Sequence, residues 1–326
     1  MNTAGFVKYA GALVALTICS ACGSRSAFAP SNAVLNGGYT GRTASANGLP
    51  RYATLVPDRR AQSKIFEYIM NAYDTGIFDY PKSDQQIGTI ANAGGQGCTN
   101  VLYGYGKKIF WIVAGNDQIA EYHVLKKPIK TLSDSVGQPS SCAMDTSGDL
   151  AVGILYNSSG PGGGDIDIFK HATGSGTVMT TPLIEEYFDG YDNKGNLFFD
   201  GFTNSDNFAL VEFPKGGSTF QTITTSNTVE FPGSVQWDGK YLTVTDQETN
   251  SMYQYTVSGT KATLKGTVSL PGSGDCAQTW IATGVVYCAD AGTNSAEVFK
   301  YPAGGSPIAV LTGNLDVPLG VAAARK

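Results

Sequence analysis

An all-β fold, a six-bladed β-propeller, is the prediction for this chain, and three observations carry it. Aromatic residues recur at Tyr80, Tyr122, Phe169, Phe213, Tyr255 and Tyr301, at intervals of 42, 47, 44, 42 and 46, each near the end of a short apolar run and before a turn. The motif D-x-x-T-N-S recurs from Asp200, Asp246 and Asp290, at spacings of 46 and 44. The C-terminal stretch Pro318-Leu-Gly-Val-Ala-Ala323 reads as a first strand with no blade after it. A period in the forties filled with short strands is the signature of propeller blades.

The N-terminal residues read as an export signal rather than as structure. Lys8 precedes an apolar run from Tyr9 to Ile18, shorter than the roughly 20 residues that span a bilayer. The stretch Ile18-Cys19-Ser20-Ala21-Cys22-Gly23-Ser24 resembles a bacterial lipobox. That resemblance implies cleavage before Cys22 and lipidation of its thiol. Cys19 stands where Leu is usual and is a second candidate. Ordinary secretory cleavage after Ala27-Phe28-Ala29 is the alternative, disfavoured because Pro30 would follow the cut. Residues 1–22 are thus expected to be a signal peptide. Residues 23–52, rich in Ser, Ala, Gly and Asn, read as a flexible tether. Residues 53–326 remain for one propeller.

Within each blade the strands are named A to D from centre to rim. Asp145-Thr-Ser-Gly148 and Asp192-Asn-Lys-Gly195 are the same A–B turn, 47 residues apart, and Asp238-Gly239 is a shorter version. Asp there bonds nearby backbone and Gly accepts positive φ. Strands B follow at Leu150–Val152, Asn196–Phe199 and Lys240–Val244, and the D-x-x-T-N-S repeat marks the B–C loop. Strand C carries the aromatic marker. Strands D follow as Gln86–Ile90, Pro128–Leu132 and Pro307–Leu311. The first blade, from about Lys64, has no strand A before it, so the C-terminal strand is expected to close it and remove an open sheet edge.

Pro318-Leu-Gly320-Val321, Gly195-Asn-Leu-Phe198 and an aromatic ending strand C resemble NHL-type repeats. They are similar to the six-bladed superfamily that includes SMP-30/gluconolactonase-like proteins, over roughly residues 55 to 325. The resemblance implies a fold more than an activity, because such propellers host enzymes, sensors and scaffolds alike.

Composition narrows the function. Charged residues make up 15% of the chain, net charge is −5 and pI is near 5.1, which argues against a nucleic-acid partner. No second hydrophobic span follows the signal, so membrane contact is expected through the lipid alone. Four cysteines remain after the signal: Cys98, Cys142, Cys276 and Cys288. They allow three pairings. Cys276 and Cys288 flank one hairpin, and Cys98 and Cys142 fall in neighbouring inner strands, so these pairs are the expected disulfides. His123 and His171 lie just past the strand C aromatics, away from any cleft.

Asp200, Asp246 and Asp290 read as turn aspartates that satisfy local backbone. Residues that break the repeat are better site candidates. Asp189 occupies a position that is Cys142 and Val235 in other blades, with Glu185 and Glu186 just before it. Glu230 and Asp275 precede strands A. The SMP-30-like resemblance implies a Glu, an Asn and an Asp around one divalent ion in the channel. On this sequence those would be Glu186 or Glu230, Asn100, and Asp189 or Asp275. No cofactor is firmly implied, a divalent cation such as Ca²⁺ being the candidate; the alternative to the turn reading of Asp200, Asp246 and Asp290 is an oxygen-rich ring for Ca²⁺ or a similar hard cation. Trp237, Tyr191 and Trp280 are expected to pack between blades. The Gly160–Gly164 run lacks the Lys of a phosphate loop.

The expected protein is a monomeric, envelope-anchored binding or scaffolding module whose partner is an envelope protein, glycan or small molecule. The rival expectations are a divalent-metal lactonase or esterase with its site in the central channel, and a purely structural envelope protein.

Overall fold

The computed structural model describes residues 65–107, 109–114, 118–126, 128–133, 136–157 and 163–326. The expected signal peptide, Cys22 and the tether lie outside the described residues. The chain runs as successive antiparallel meanders. The first holds β1 (Ile65–Met70), β2 (Thr75–Phe78) and β3 (Gln86–Ile90). The second holds β4 (Gln96–Thr99), the short β5 (Gly106–Lys107), β6 (Ile109–Ala114), β7 (Gln118–His123) and β8 (Pro128–Ser133). The third holds β9 (Gly137–Met144), β10 (Leu150–Asn157), β11 (Asp165–Phe169) and β12 (Thr177–Thr180), with a 3-10 turn at Lys170–Ala172. Next come β13 (Glu185–Tyr191), β14 (Leu197–Phe202), β15 (Phe208–Phe213) and β16 (Gln221–Thr225). They are followed by β17 (Val235–Trp237), β18 (Leu242–Asp246), β19 (Ser251–Ser258) and β20 (Lys261–Ser269). The last meander is β21 (Cys276–Ala282), β22 (Val285–Asp290), β23 (Ser295–Lys300) and β24 (Ala309–Leu311), and β25 (Gly320–Arg325) ends the chain.

β25 pairs antiparallel with β1, from Ile65↔Arg325 to Met70↔Gly320. The first sheet therefore has the order β3-β2-β1-β25-β5, and the expected pairing of the C-terminal strand with the first meander is present. The meanders of β13–β16 and β17–β20 are not separate sheets. A short parallel pairing, Thr224↔Lys261 and Thr225↔Ala262, merges them into one of eight strands. The described sheets thus number five in a propeller-like arrangement. β25, β4, β9, β13 and β17 are neighbours in succession around an axis, and β21 lies beside β25. These inner strands carry small residues where they crowd. A Cβ on Gly190 of β13 would lie 2.2 Å from the Val235 carbonyl oxygen, which no other residue could tolerate.

The turns follow from their residues. Asp145 Oδ1 accepts the amides of Ser147 and Asp149 at 2.8 Å, and Asp192 Oδ1 those of Lys194 and Asn196 at 2.8 and 2.9 Å. Gly148 and Gly195 take φ of +91° and +85°. In the D-x-x-T-N-S loops Asn250 and Asn294 have φ of +47° and +54°, a region Asn tolerates better than most residues. Their side chains reach forward along the chain. Asn250 Oδ1 accepts the Cys276 amide at 3.2 Å and Asn294 Oδ1 the Val317 amide at 2.9 Å. Asp246 accepts the amides of Glu230 and Phe231, and Asp290 those of Gly274, Asp275, Gly292 and Thr293. The repeat is a structural clamp that ties each loop to the next inner strand.

The core lies between the faces of successive sheets. Leu155, Phe188, Phe198, Val235 and Val244 pack in one cluster between the third, fourth and fifth meanders. Among the marker aromatics Tyr122, Phe169 and Tyr255 are fully buried. Burial of such rings contributes about 2–3 kcal/mol each. Both expected disulfides are formed, Cys98–Cys142 between inner strands and Cys276–Cys288 across a hairpin.

Because every meander alternates direction, its connections sort to two faces. The turn face carries the links between first and second and between third and fourth strands, counting from the axis. The loop face carries the links between second and third strands and those from one meander to the next.

Candidate functional site

Asp189 sits on the fifth residue of β13, at the axial level of Cys98, Cys142, Val235 and Gln278. All five line one cavity. The side chain is 6% exposed, and neither carboxylate oxygen has a hydrogen-bond partner among the described residues. Burial pushes its pKa up to about 8; the Ser141 hydroxyl, near the carboxyl but outside hydrogen-bond geometry, lowers it only in part. An unpaired buried carboxylate is costly, so the group holds its proton to neutral pH.

Glu186 lies close by, fully buried against the third meander. Its Oε2 accepts from the Ser140 hydroxyl at 3.2 Å and its Oε1 from Ser141 at 3.4 Å. Gly153 makes the space for it, since a Cβ there would meet Glu186 Oε2 at 1.8 Å. Asp200 of β14 is also fully buried and accepts the Gly233 amide at 3.2 Å. Desolvation first, and then the mutual repulsion of these carboxyls, raise the pKa values of Glu186 and Asp200. Among the described residues no Lys or Arg contributes to their environment.

The structure brings Glu186 and Asp189 together and leaves the other candidates apart. Asn100 follows β4 at the turn face, where its Oδ1 accepts the Lys107 amide at 2.7 Å. Glu230 is exposed on the loop face. Asp275 lies before β21, also at the loop face. Burial and then the nearby Asp290 and Glu248 push its pKa to about 7. Cys98, Cys142, Cys276 and Cys288 are all engaged in the disulfides. His123 ends β7, and His171 is exposed on the 3-10 turn beside Asp149, at 3.9 Å. Among the described residues one trio of ligand-type atoms, Cys288, Asp290 and Glu297, lies within 4.8 Å. Cys288 is spent in a disulfide and Asp290 is saturated by four amides, so this trio is closed.

The end of the cavity at the turn face is stopped by the segment after β4. Val101 and Leu102 line the cavity. Gln236 Nε2 donates to the Leu102 carbonyl at 3.1 Å, Trp280 Nε1 to the Gly104 carbonyl at 2.8 Å, and the Gly104 amide to the Ile281 carbonyl at 2.8 Å. The apolar run Val101-Leu102-Tyr103 inside a connection was the available signal. Trp280 therefore packs on this plug as well as in the core, and Trp237 lines the cavity. The room left for water centres in the cavity is about 30 Å³, enough for roughly two waters and too little for an organic substrate.

No protein-family model matches the chain, and no curated protein matches it. In fold the chain is similar to a propeller in the crystal structure of a nidogen/laminin complex. The TM-score is 0.63 at 14% identity, covering 80% of this chain and 98% of that one. Matching solved chains number 771, so the likeness defines an all-β propeller fold shared by many proteins and assigns no activity.

Proposed function

We propose that this protein is a binding or scaffolding module of the cell envelope, built as a six-bladed propeller and held to the membrane by lipid on Cys22. Counting each four-stranded meander as a blade, with β25 as the inner strand of the first, gives the six. The two disulfides support an oxidising, exported location. No helix among the described residues is long and apolar enough to cross a membrane. The NHL-type and SMP-30-like resemblance supports the blade count, and the lipobox-like sequence supports the anchor.

The observation that carries the binding reading is Asp189, a carboxyl kept at the axis with both oxygens unsatisfied and at a cost to stability. Groups of this kind concentrate at functional sites. The hydrolase reading is less favoured, because the cavity admits no substrate and Asn100 stands at the opposite end from Glu230 and Asp275.

The test is a denaturation comparison of the full chain with Asp189→Val, the residue found at this level in the next meander. Replacement of the unpaired carboxyl is expected to stabilise the protein by about 1–3 kcal/mol at pH 8. Repeating the melts with Ca²⁺, Mg²⁺, Mn²⁺, Zn²⁺ and EDTA identifies any cation that Asp189 helps to hold, by a shift that the variant loses. If Asp189→Val is destabilised by a similar amount, Asp189 is a structural residue and the reading loses its support.

A further inference from the structure

The charges of this molecule are sorted by face. Residues 65–326 contain 26 Asp and Glu against 15 Lys and Arg. Every described Lys or Arg falls on the turn face or the outer strands running up from it. Lys107, Lys194, Lys240 and Arg325 lie at links from first to second strands, and Lys82, Lys126, Lys170, Lys215 and Lys300 at links from third to fourth. No described Lys or Arg lies in a loop-face connection. That face instead carries Asp74, Glu185, Asp206, Glu230, Glu248 and Asp316, all at least partly exposed. The ion pairs among the described residues, Lys82–Asp79, Lys130–Glu121, Lys170–Asp149 and His171–Asp149, are all away from it. A surface dominated by one sign projects an attractive field toward the opposite sign.

A second, independent feature lies on the same face. Phe202 ends β14 and Phe231 sits in the loop before β17, with ring centroids 5.4 Å apart. Both meet Tyr187 edge-on at 5.6 Å. Phe202 and Phe231 are partly buried and keep some exposed surface, and the Tyr187 hydroxyl donates to Glu185 at 3.0 Å. Aromatic rings between carboxylates accept Lys and Arg side chains through cation–π contact as well as charge.

We infer that the loop face docks a Lys- and Arg-bearing polypeptide segment of a partner protein, seated between Glu185, Glu230 and Glu248 over Phe202 and Phe231. The inference rests on the binding-module reading and names its partner class. Association is steered by charge, so it weakens as salt approaches physiological strength, where the screening length is about 8 Å.

The test uses the full chain and a fluorescein-labelled peptide of Lys, Arg and Gly, with a Glu/Gly peptide of equal length as control, followed by anisotropy at low and physiological salt. Binding of the basic peptide alone is expected, weakened about tenfold or more, or 1.4 kcal/mol, in Glu230→Gln/Glu248→Gln. The turn-face variant Asp84→Asn/Glu212→Gln, which removes the same charge, is expected to change it less than about twofold. Equal losses in both variants would show a response to net charge alone and overturn the inference, leaving the Asp189 reading untouched. No binding of the basic peptide would overturn it equally. A third variant, Arg51→Gln/Arg59→Gln/Arg60→Gln, tests the chain's own basic N-terminal segment as occupant. If peptide binding tightens tenfold in it, that segment and not a partner holds the face. Unchanged binding supports the partner.

Discussion

Buried carboxyls set the pH behaviour of this protein. Glu67 on β1 is fully buried, accepts from the Tyr287 hydroxyl at 3.0 Å and from the Tyr80 amide at 2.9 Å, and is pushed by burial to about 8. Asp189 behaves likewise, and burial raises Glu186 and Asp200. An acid whose folded pKa lies above its unfolded value binds more protons when folded. Its stabilisation is complete below the unfolded pKa near 4 and is lost as pH rises towards the folded value. Stability is therefore expected to fall from about pH 4 to pH 8, by up to about 1.4 kcal/mol per unit for each such group. Urea titrations across this range check the slope, and Glu67→Gln is expected to flatten it; a stability that rises over the same interval contradicts the assignment. Gly153→Ala makes a sharper test of packing. Its new methyl would collide with Glu186 and with the Ser141 hydroxyl at 2.3 Å, and a loss of about 2 kcal/mol or more in thermal or urea unfolding is expected.

At the level of elements, the two disulfides constrain the unfolded chain unequally. Cys98–Cys142 closes 44 residues and Cys276–Cys288 closes 12. Loop-closure entropy then gives about 4 kcal/mol for the first and about 3 kcal/mol for the second. Cys98→Ser/Cys142→Ser should accordingly lower stability more than Cys276→Ser/Cys288→Ser, as read by guanidinium unfolding of each double variant; the reverse order would show that native packing of the hairpin outweighs chain entropy. Much at this scale is legible from sequence. Turn aspartates, positive-φ glycines and the forward-reaching asparagines act locally, so their spacing reports their role. The plug after β4 is different. Val101 and Leu102 look like any short apolar run until Gln236 and Trp280, more than a hundred residues away, supply its donors.

For the whole molecule, closure joins chain ends that are far apart in sequence. All six residues of β25 pair with β1, and the inner-strand neighbours on both sides depend on that position. Deleting residues 320–326 is expected to open the arrangement, expose the edges of β1 and β5 and abolish a single cooperative transition, since long unpaired edges invite aggregation. Size-exclusion chromatography and circular dichroism melts check this, and a compact monomer with an unchanged melt would mean that closure is dispensable.

Period, turn chemistry and the lone carboxyl at an apolar level were determined by the sequence alone, because strands a few residues long and their turns obey local rules. The meeting of Glu186 with Asp189, the merging of two meanders through Thr224 and Thr225, the closed floor of the cavity and the sorting of charge by face were decided by tertiary structure. Each depends on which way a strand runs and what its neighbour presents, and those relations arise only when distant segments pack around a common axis.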